Sequence, residues 1–210
     1  MSGCCETNIT FDGASATYKR VLWLVIVLNA AMFVVESSAG LFAGSAALQA
    51  DALDFLGDSV TYAISLYVIG KPQAWRSGAA MFKGISLGVF GVMVFALTFY
   101  RVIVTGMPEP VTMGAVGAAA FGVNVLSALF LFKFRNGDAN VRSVWLCSRN
   151  DAIGNVAVIV AAGAVAWTAS PWPDLIVAAI MASLFLKGAA SIVAQAREEM
   201  AMPISSNTSG

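Results

Sequence analysis

Histidine occurs nowhere in the 210 residues. Neither an imidazole base nor an imidazole metal ligand is available, so proton or metal chemistry falls to carboxylates and thiols. Charge is scarce too: 11% of residues carry it, against about 25% in a soluble domain. Twelve lysines and arginines balance twelve aspartates and glutamates. A net charge of zero gives no general electrostatic footprint for nucleic acid. The cysteines are Cys4, Cys5 and Cys147. An odd count with an adjacent pair in a polar tail excludes a disulfide framework and implies a reducing compartment for that tail. The first twenty residues hold no apolar core of the kind a cleavable signal needs, so the first hydrophobic segment is expected to be a retained span.

What the chain has is apolar sequence, 59% of it. A bilayer core needs about 20 apolar residues per helix, and six stretches qualify: roughly 21–43, 46–70, 83–105, 112–133, 144–169 and 173–195. The expectation is an all-α membrane protein of six transmembrane helices. Residues 1–20 form an N-terminal tail, 21–195 the transmembrane domain, and 196–210 a short disordered tail. A Gly44-Ser45 turn separates the first two spans. Polar loops are expected at Lys71–Lys83 and Phe134–Arg142, and breaks at Gly106–Pro110 and Ser170–Pro173. One side of this topology holds Lys19, Arg20, Lys71, Arg76, Lys83, Lys133, Arg135, Arg142 and Arg197, and the other only Arg101. The positive-inside rule places both termini in the cytosol, in a multi-pass protein of the cell membrane. Dense small residues on spans two and five (Ala50, Ala52, Gly57; Gly154, Ala157, Ala161, Ala162) imply that these two helices cross closely.

Leaving aside Asp174 at the very start of the last stretch, five of the twelve acids, Glu36, Asp51, Asp54, Asp58 and Asp151, lie inside the hydrophobic stretches. A carboxylate in lipid is costly and normally faces a partner, a cavity or an ion pathway. Asp51, Asp54 and Asp58 are spaced three and four apart, so they share one helix face. Cys147 and Asp151 are four apart, and Asn155 extends their stripe by a turn. If the stripes face each other, Asp54, Asp58, Cys147 and Asp151 enclose one ion. Three oxygens and a thiolate suit a four-coordinate divalent metal, zinc or cadmium, with manganese, iron and cobalt still open. Four anionic ligands leave a net −2 around a divalent ion and a worse −4 without it, so ligands should take up protons when the metal leaves. Asp51, Glu36 and Asn155 are accessory or proton-relay candidates, with Asn29 on the Glu36 face as its structural partner. Arg149 is expected to snorkel. Cys4 and Cys5 are candidates for soft-metal capture or for a plain tail.

The stretch Asn29 to Tyr67 (NAAMFVVESSAGLFAGSAALQADALDFLGDSVTYAISLY) resembles spans one and two of the cation diffusion facilitator family. SRNDAIGNVAVIVAA, Ser148 to Ala162, is similar to its fifth span, and GVNVLSALFLF, Gly122 to Phe132, to its fourth. The resemblance puts one pair of metal ligands on Asp54 and Asp58 and a second on Cys147 and Asp151. It implies export of a divalent metal from the cytosol in exchange for protons, by a homodimer in the lipid bilayer, with the metal as substrate and no permanently bound cofactor. Asp54 and Cys147 hold places where zinc-transporting members often carry histidine. The family's cytosolic C-terminal domain and its histidine-rich loop between spans four and five are expected to be missing.

Two other classes compete with a carrier. An intramembrane aspartyl protease also uses buried carboxylates, but the Gly-x-Gly-Asp pattern is absent and a cysteine accompanies the second aspartate stripe. A non-transporting metal sensor, or a partner subunit of a full-length carrier, is the stronger alternative.

Overall fold

The computed structural model describes residues 15–71, 73–104, 106–136 and 139–201; Cys4 and Cys5 lie outside them. Among the described residues there are six α-helices: α1 (Ala16–Ala43), α2 (Ala46–Tyr67), α3 (Gln73–Ile103), α4 (Pro110–Leu131), α5 (Ala139–Thr168) and α6 (Trp172–Ala201), with a short 3₁₀ turn at Phe132–Phe134. Several run past their expected ends. Hydropathy marks the thickness of the apolar layer, whereas backbone i→i−4 bonding continues wherever the sequence permits it. The side chain of Ser15 accepts from the Tyr18 N–H, so α1 starts at its cap rather than at residue 21. The expected Lys71–Lys83 loop is mostly the first turns of α3, because Gln73 to Phe82 contains good helix formers and no proline. The Phe134–Arg142 loop shrinks in the same way, and α6 continues past Gln195.

The bundle is apolar outside, and its largely apolar interior also holds a set of buried polar groups. Trp23, Leu24, Phe42, Phe95, Phe99, Val111 and Trp167 are exposed, whereas Glu36, Asp51, Asp58, Asn124, Asn155 and Asp174 are buried. Such an exterior needs hydrocarbon around it, and helices satisfy their own backbone there. Five helices are long and apolar enough to cross a membrane. The sixth expected span, α2, is not among them. Its three aspartates lower its hydropathy, and it is shielded from lipid by packing against α1, α3, α5 and α6.

Two devices fix α2. At its start, Gly44 takes φ 66° and its N–H, with that of Ser45, returns to Gly40 and Leu41 carbonyls. This αL residue ends α1 in the manner that favours glycine. Ser45 then caps α2 by accepting from the Leu48 N–H at 3.0 Å. The second device comes from α6: Asp174, 1% exposed, accepts from Ser45 Oγ at 2.6 Å, Ala46 N–H at 2.8 Å and Ala47 N–H at 3.1 Å. A carboxylate from one helix thereby satisfies the free amides at the N-terminus of another.

α3 and α6 make the most extensive pairing. A Cβ at Gly91 would stand 2.9 Å from Leu186 Cγ, and one at Gly84 2.8 Å from Val193 Cγ2. α2 and α5 do pack together, but Gly154 has nothing within 4 Å of its added Cβ. The small residues there open space as well as closing it.

Candidate metal site

That space is a cavity of about 520 Å³ between α2, α3, α5 and α6. Asp51, Asp54, Asp58, Cys147 and Asp151 all line it, so the two stripes read from sequence do face each other. Lys83 from α3 and Asn150 from α5 share the wall. Given where its lining residues fall along each helix, it extends from the middle of the bundle toward the end bearing Lys71 and Lys133.

The 3.6-residue repeat that put the aspartates on one face also sets their order of depth. Asp51 is 1% exposed and Asp58 8%, whereas Asp54, Cys147 and Asp151 are half-buried and open onto the cavity. Cys147 is a free thiol. Asp151 lies close to Asp54 and Asp58 and presents Oδ2 without a hydrogen-bond donor. Asp58 is held differently: Tyr62 Oη, one turn on, donates to its Oδ2. The same hydroxyl lies 3.4 Å from Ser148 Oγ on α5, tying the two stripes together. Among the described residues, no three acid or thiol side chains are drawn together tightly enough to hold an ion as they stand.

The accessory candidates separate. Asn155, fully buried, donates to Asp51 and accepts from Asn124 Nδ2 at 2.9 Å. Glu36 points at Asp51 rather than pairing with Asn29, whose amide is spent on Val25 O at 2.8 Å in its own helix. The i→i−4 carbonyl is simply nearer than a side chain two turns away. Arg149 is exposed and donates to Asn150 Oδ1 at 3.1 Å, off the stripe as expected. Sequence reading missed three contributors. Tyr62 was visible as the residue four after Asp58 on the same face. Lys83 and Asn124 come from other helices and carry no spacing signal.

Residues 22–201 match the model of the cation efflux transmembrane domain. The chain belongs to that family, the cation diffusion facilitators. Its relatives include a cadmium, cobalt and zinc/H(+)-K(+) antiporter of Bacillus velezensis, 24% identical over 83% of this chain and 60% of the relative. The metal cation efflux system protein CzcD of Cupriavidus metallidurans is 27% identical over 78% of this chain and 55% of its own length. A Bacillus subtilis antiporter of the same description as the first is 24% identical over 80% of this chain and 59% of the relative. The chain thus spans 55–60% of the length of these relatives. As a family member with five membrane-length apolar helices, it is an integral, multi-pass protein of the cell membrane, of a transporter family rather than an enzyme family.

Proposed function

We propose that this protein exports a divalent metal, zinc foremost and cadmium beside it, in exchange for protons, and that Asp54, Asp58, Cys147 and Asp151 hold the metal in transit. The observation that carries this reading is the shared cavity: two helices, each with a pair of ligands four residues apart, line one chamber. Three carboxylates and a thiol favour borderline and soft divalent ions over magnesium or calcium, which take all-oxygen shells. The names of the relatives include cadmium, cobalt and zinc, consistent with that donor set.

The transport domain is residues 21–195, with α2 as its sixth span. α2 folds back from α1 through a two-residue turn and keeps its aspartates on bundle-facing positions. The cavity lies toward the lysine- and arginine-rich end, which the positive-inside rule assigns to the cytosol, as it does both termini. Metal therefore enters from the cytosol. With no histidine in the chain, the protons that replace it ride on Asp and Cys. The working unit is a homodimer, as the family resemblance implies. Tyr62 orients Asp58, and a bound divalent charge offsets the repulsion among the acids that face one another.

Flux into proteoliposomes tests the reading. Zinc, cadmium, cobalt, manganese and iron are offered in turn under an imposed pH gradient. Zinc or cadmium flux that follows the gradient and is lost in Asp54→Ala is the expected result. A folded, inserted wild type that moves none of these ions would replace the carrier with the partner-subunit reading.

A further inference from the structure

The metal cavity extends toward one end of the bundle and is closed at the other, where α2 and α6 begin. Its lining stops at Asp51 on α2 and at Met181 on α6. Ser45 and Asp174 lie roughly two helical turns nearer the starts of those helices, about 10 Å away at 1.5 Å per residue. The wall between is made of small apolar residues. Ala46 packs with Leu175 and Ala178, and Ala47 and Ala50 share a cluster with Ala182. The four alanines of this set on either side of the cluster boundary at Ala46, Ala47, Ala50 and Ala182 are fully buried. A seam of methyl groups has no long side chains interlocked across it, so the two helices part there without any rotamer change.

What holds the seam is polar. Asp174, from α6, accepts from Ser45 Oγ at 2.6 Å, Ala46 N–H at 2.8 Å and Ala47 N–H at 3.1 Å. α2 already has a cap of its own in Ser45, which accepts from the Leu48 N–H. The Asp174 bonds therefore do more than end a helix: they run across the seam, from the helix on its far side. Arg101 of α3 reaches the same spot. Its Nη1 lies 3.3 Å from where a Cβ on Gly44 would stand, and its buried Nε has no acceptor among the described residues.

We propose that Asp174 is the latch of a gate at this end of the bundle: its grip on Ser45, Ala46 and Ala47 keeps the α2–α6 seam shut while the cavity is open at the other end, and its release lets an ion pass Ala50 to the far side. The inference deepens the transport reading and rests on it for its role, since a carrier exposes its site to each side in turn. Parting the helices exchanges the three latch bonds for bonds to water at the membrane surface, and such exchanges have a small net cost. Arg101 gives the released carboxylate a cation to turn to. The latch is thereby reversible, as a gate requires, and Asp174 acts by positioning α2 rather than by touching the metal.

Cys147 reports on the gate in the full chain with Cys4 and Cys5 changed to serine. A membrane-impermeant maleimide is offered to intact cells from outside, and to inside-out vesicles from the cytosolic face, and the labelling rate of Cys147 is read in each. Wild type is labelled faster from the cytosolic face. Asp174→Asn, which keeps the shape and loses the charge, raises labelling from outside by about tenfold with no rise from the cytosolic face. Ser45→Ala, which removes one bond, gives a smaller rise and carries the comparison if Asp174→Asn does not reach the membrane. Equal gains from both faces mark a loosened bundle. That outcome, no gain from outside in either variant, or a wild type labelled faster from outside overturns the proposal. The labelling needs no metal. A wild type that moves no ion, while Asp174→Asn opens to the outside, would sink the transport reading and leave the latch standing.

Discussion

Asp58 is anchored by a hydroxyl from its own helix, as Asp51 is by Asn155 from α5. The Tyr62 hydroxyl holds one of the Asp58 oxygens, and Ser148 sits at the same hydroxyl. A ligand whose supporting hydrogen bond is removed typically loses 10- to 100-fold in metal affinity. Tyr62→Phe is expected to weaken zinc binding by about that factor in calorimetry, with the melting temperature little changed. Equal affinity would show that the hydroxyl serves only to join α2 and α5. Lys83 presents the opposite case. It is a half-exposed cation on the wall of a chamber proposed for cations. Its charge opposes metal entry, with water screening much of the effect. Lys83→Met should tighten zinc binding by about three- to tenfold, and Lys83→Arg should restore the wild-type value. Weaker binding in Lys83→Met would mean that the ammonium instead orders the carboxylates.

Among the helices, the attachment of α6 to α2 concentrates in one side chain. Asp174 accepts from three donors at the start of α2, near Arg101 on α3. Hydrogen bonds donated to a charged group are worth about 1.5–3 kcal/mol each. Asp174→Ala is expected to cost at least about 2 kcal/mol and to lower the melting temperature in detergent. No loss of stability would mean that α2 caps itself through Ser45 alone. α4 has a milder version outside the apolar layer. Glu109 accepts from the Thr112 N–H at 2.6 Å and the Val111 N–H at 3.0 Å. Those bonds, the ones to Thr112 foremost, hold its carboxyl below the usual glutamate range. The folded-state value is lowered, so the cap contributes fully above the unfolded value and is lost as pH falls through the folded one. Protection of the Val111 and Thr112 amides against exchange, taken relative to their intrinsic rates, should therefore fall as pH drops through the lowered Glu109 value, and Glu109→Gln should flatten that dependence. The spacing of Asp51, Asp54 and Asp58 made the α2 stripe legible in sequence, as Cys147 and Asp151 did for α5, because helical period is a local property. The partner of Glu36 was not legible. Whether a carboxyl faces its own helix, an asparagine seven residues back or a carboxyl on the next helix depends on the rotation of α1 against α2. The same limit hid the tight α3–α6 contact at Gly84 and Gly91, which stands beside the α2–α5 packing that small-residue density implied.

For the whole molecule, the bundle combines an apolar exterior with two groups of buried acids. The number of helices and most of their middles followed from hydropathy. Their ends did not, since helices outrun the apolar layer. Residues 46–70 counted as a sixth span in that reading, whereas α2, with its three aspartates, is not among the five membrane-length apolar helices. The central claim is that α2 and α5 together hold the transported metal through three carboxylates and one thiolate. X-ray absorption on the zinc-loaded protein, with Cys4 and Cys5 changed to serine so that only one thiol remains, tests it most directly. The account predicts one sulfur at about 2.3 Å with three oxygens at about 2.0–2.2 Å, the sulfur vanishing in Cys147→Ser. A shell without sulfur in the parent protein, or a sulfur that survives Cys147→Ser, would contradict it.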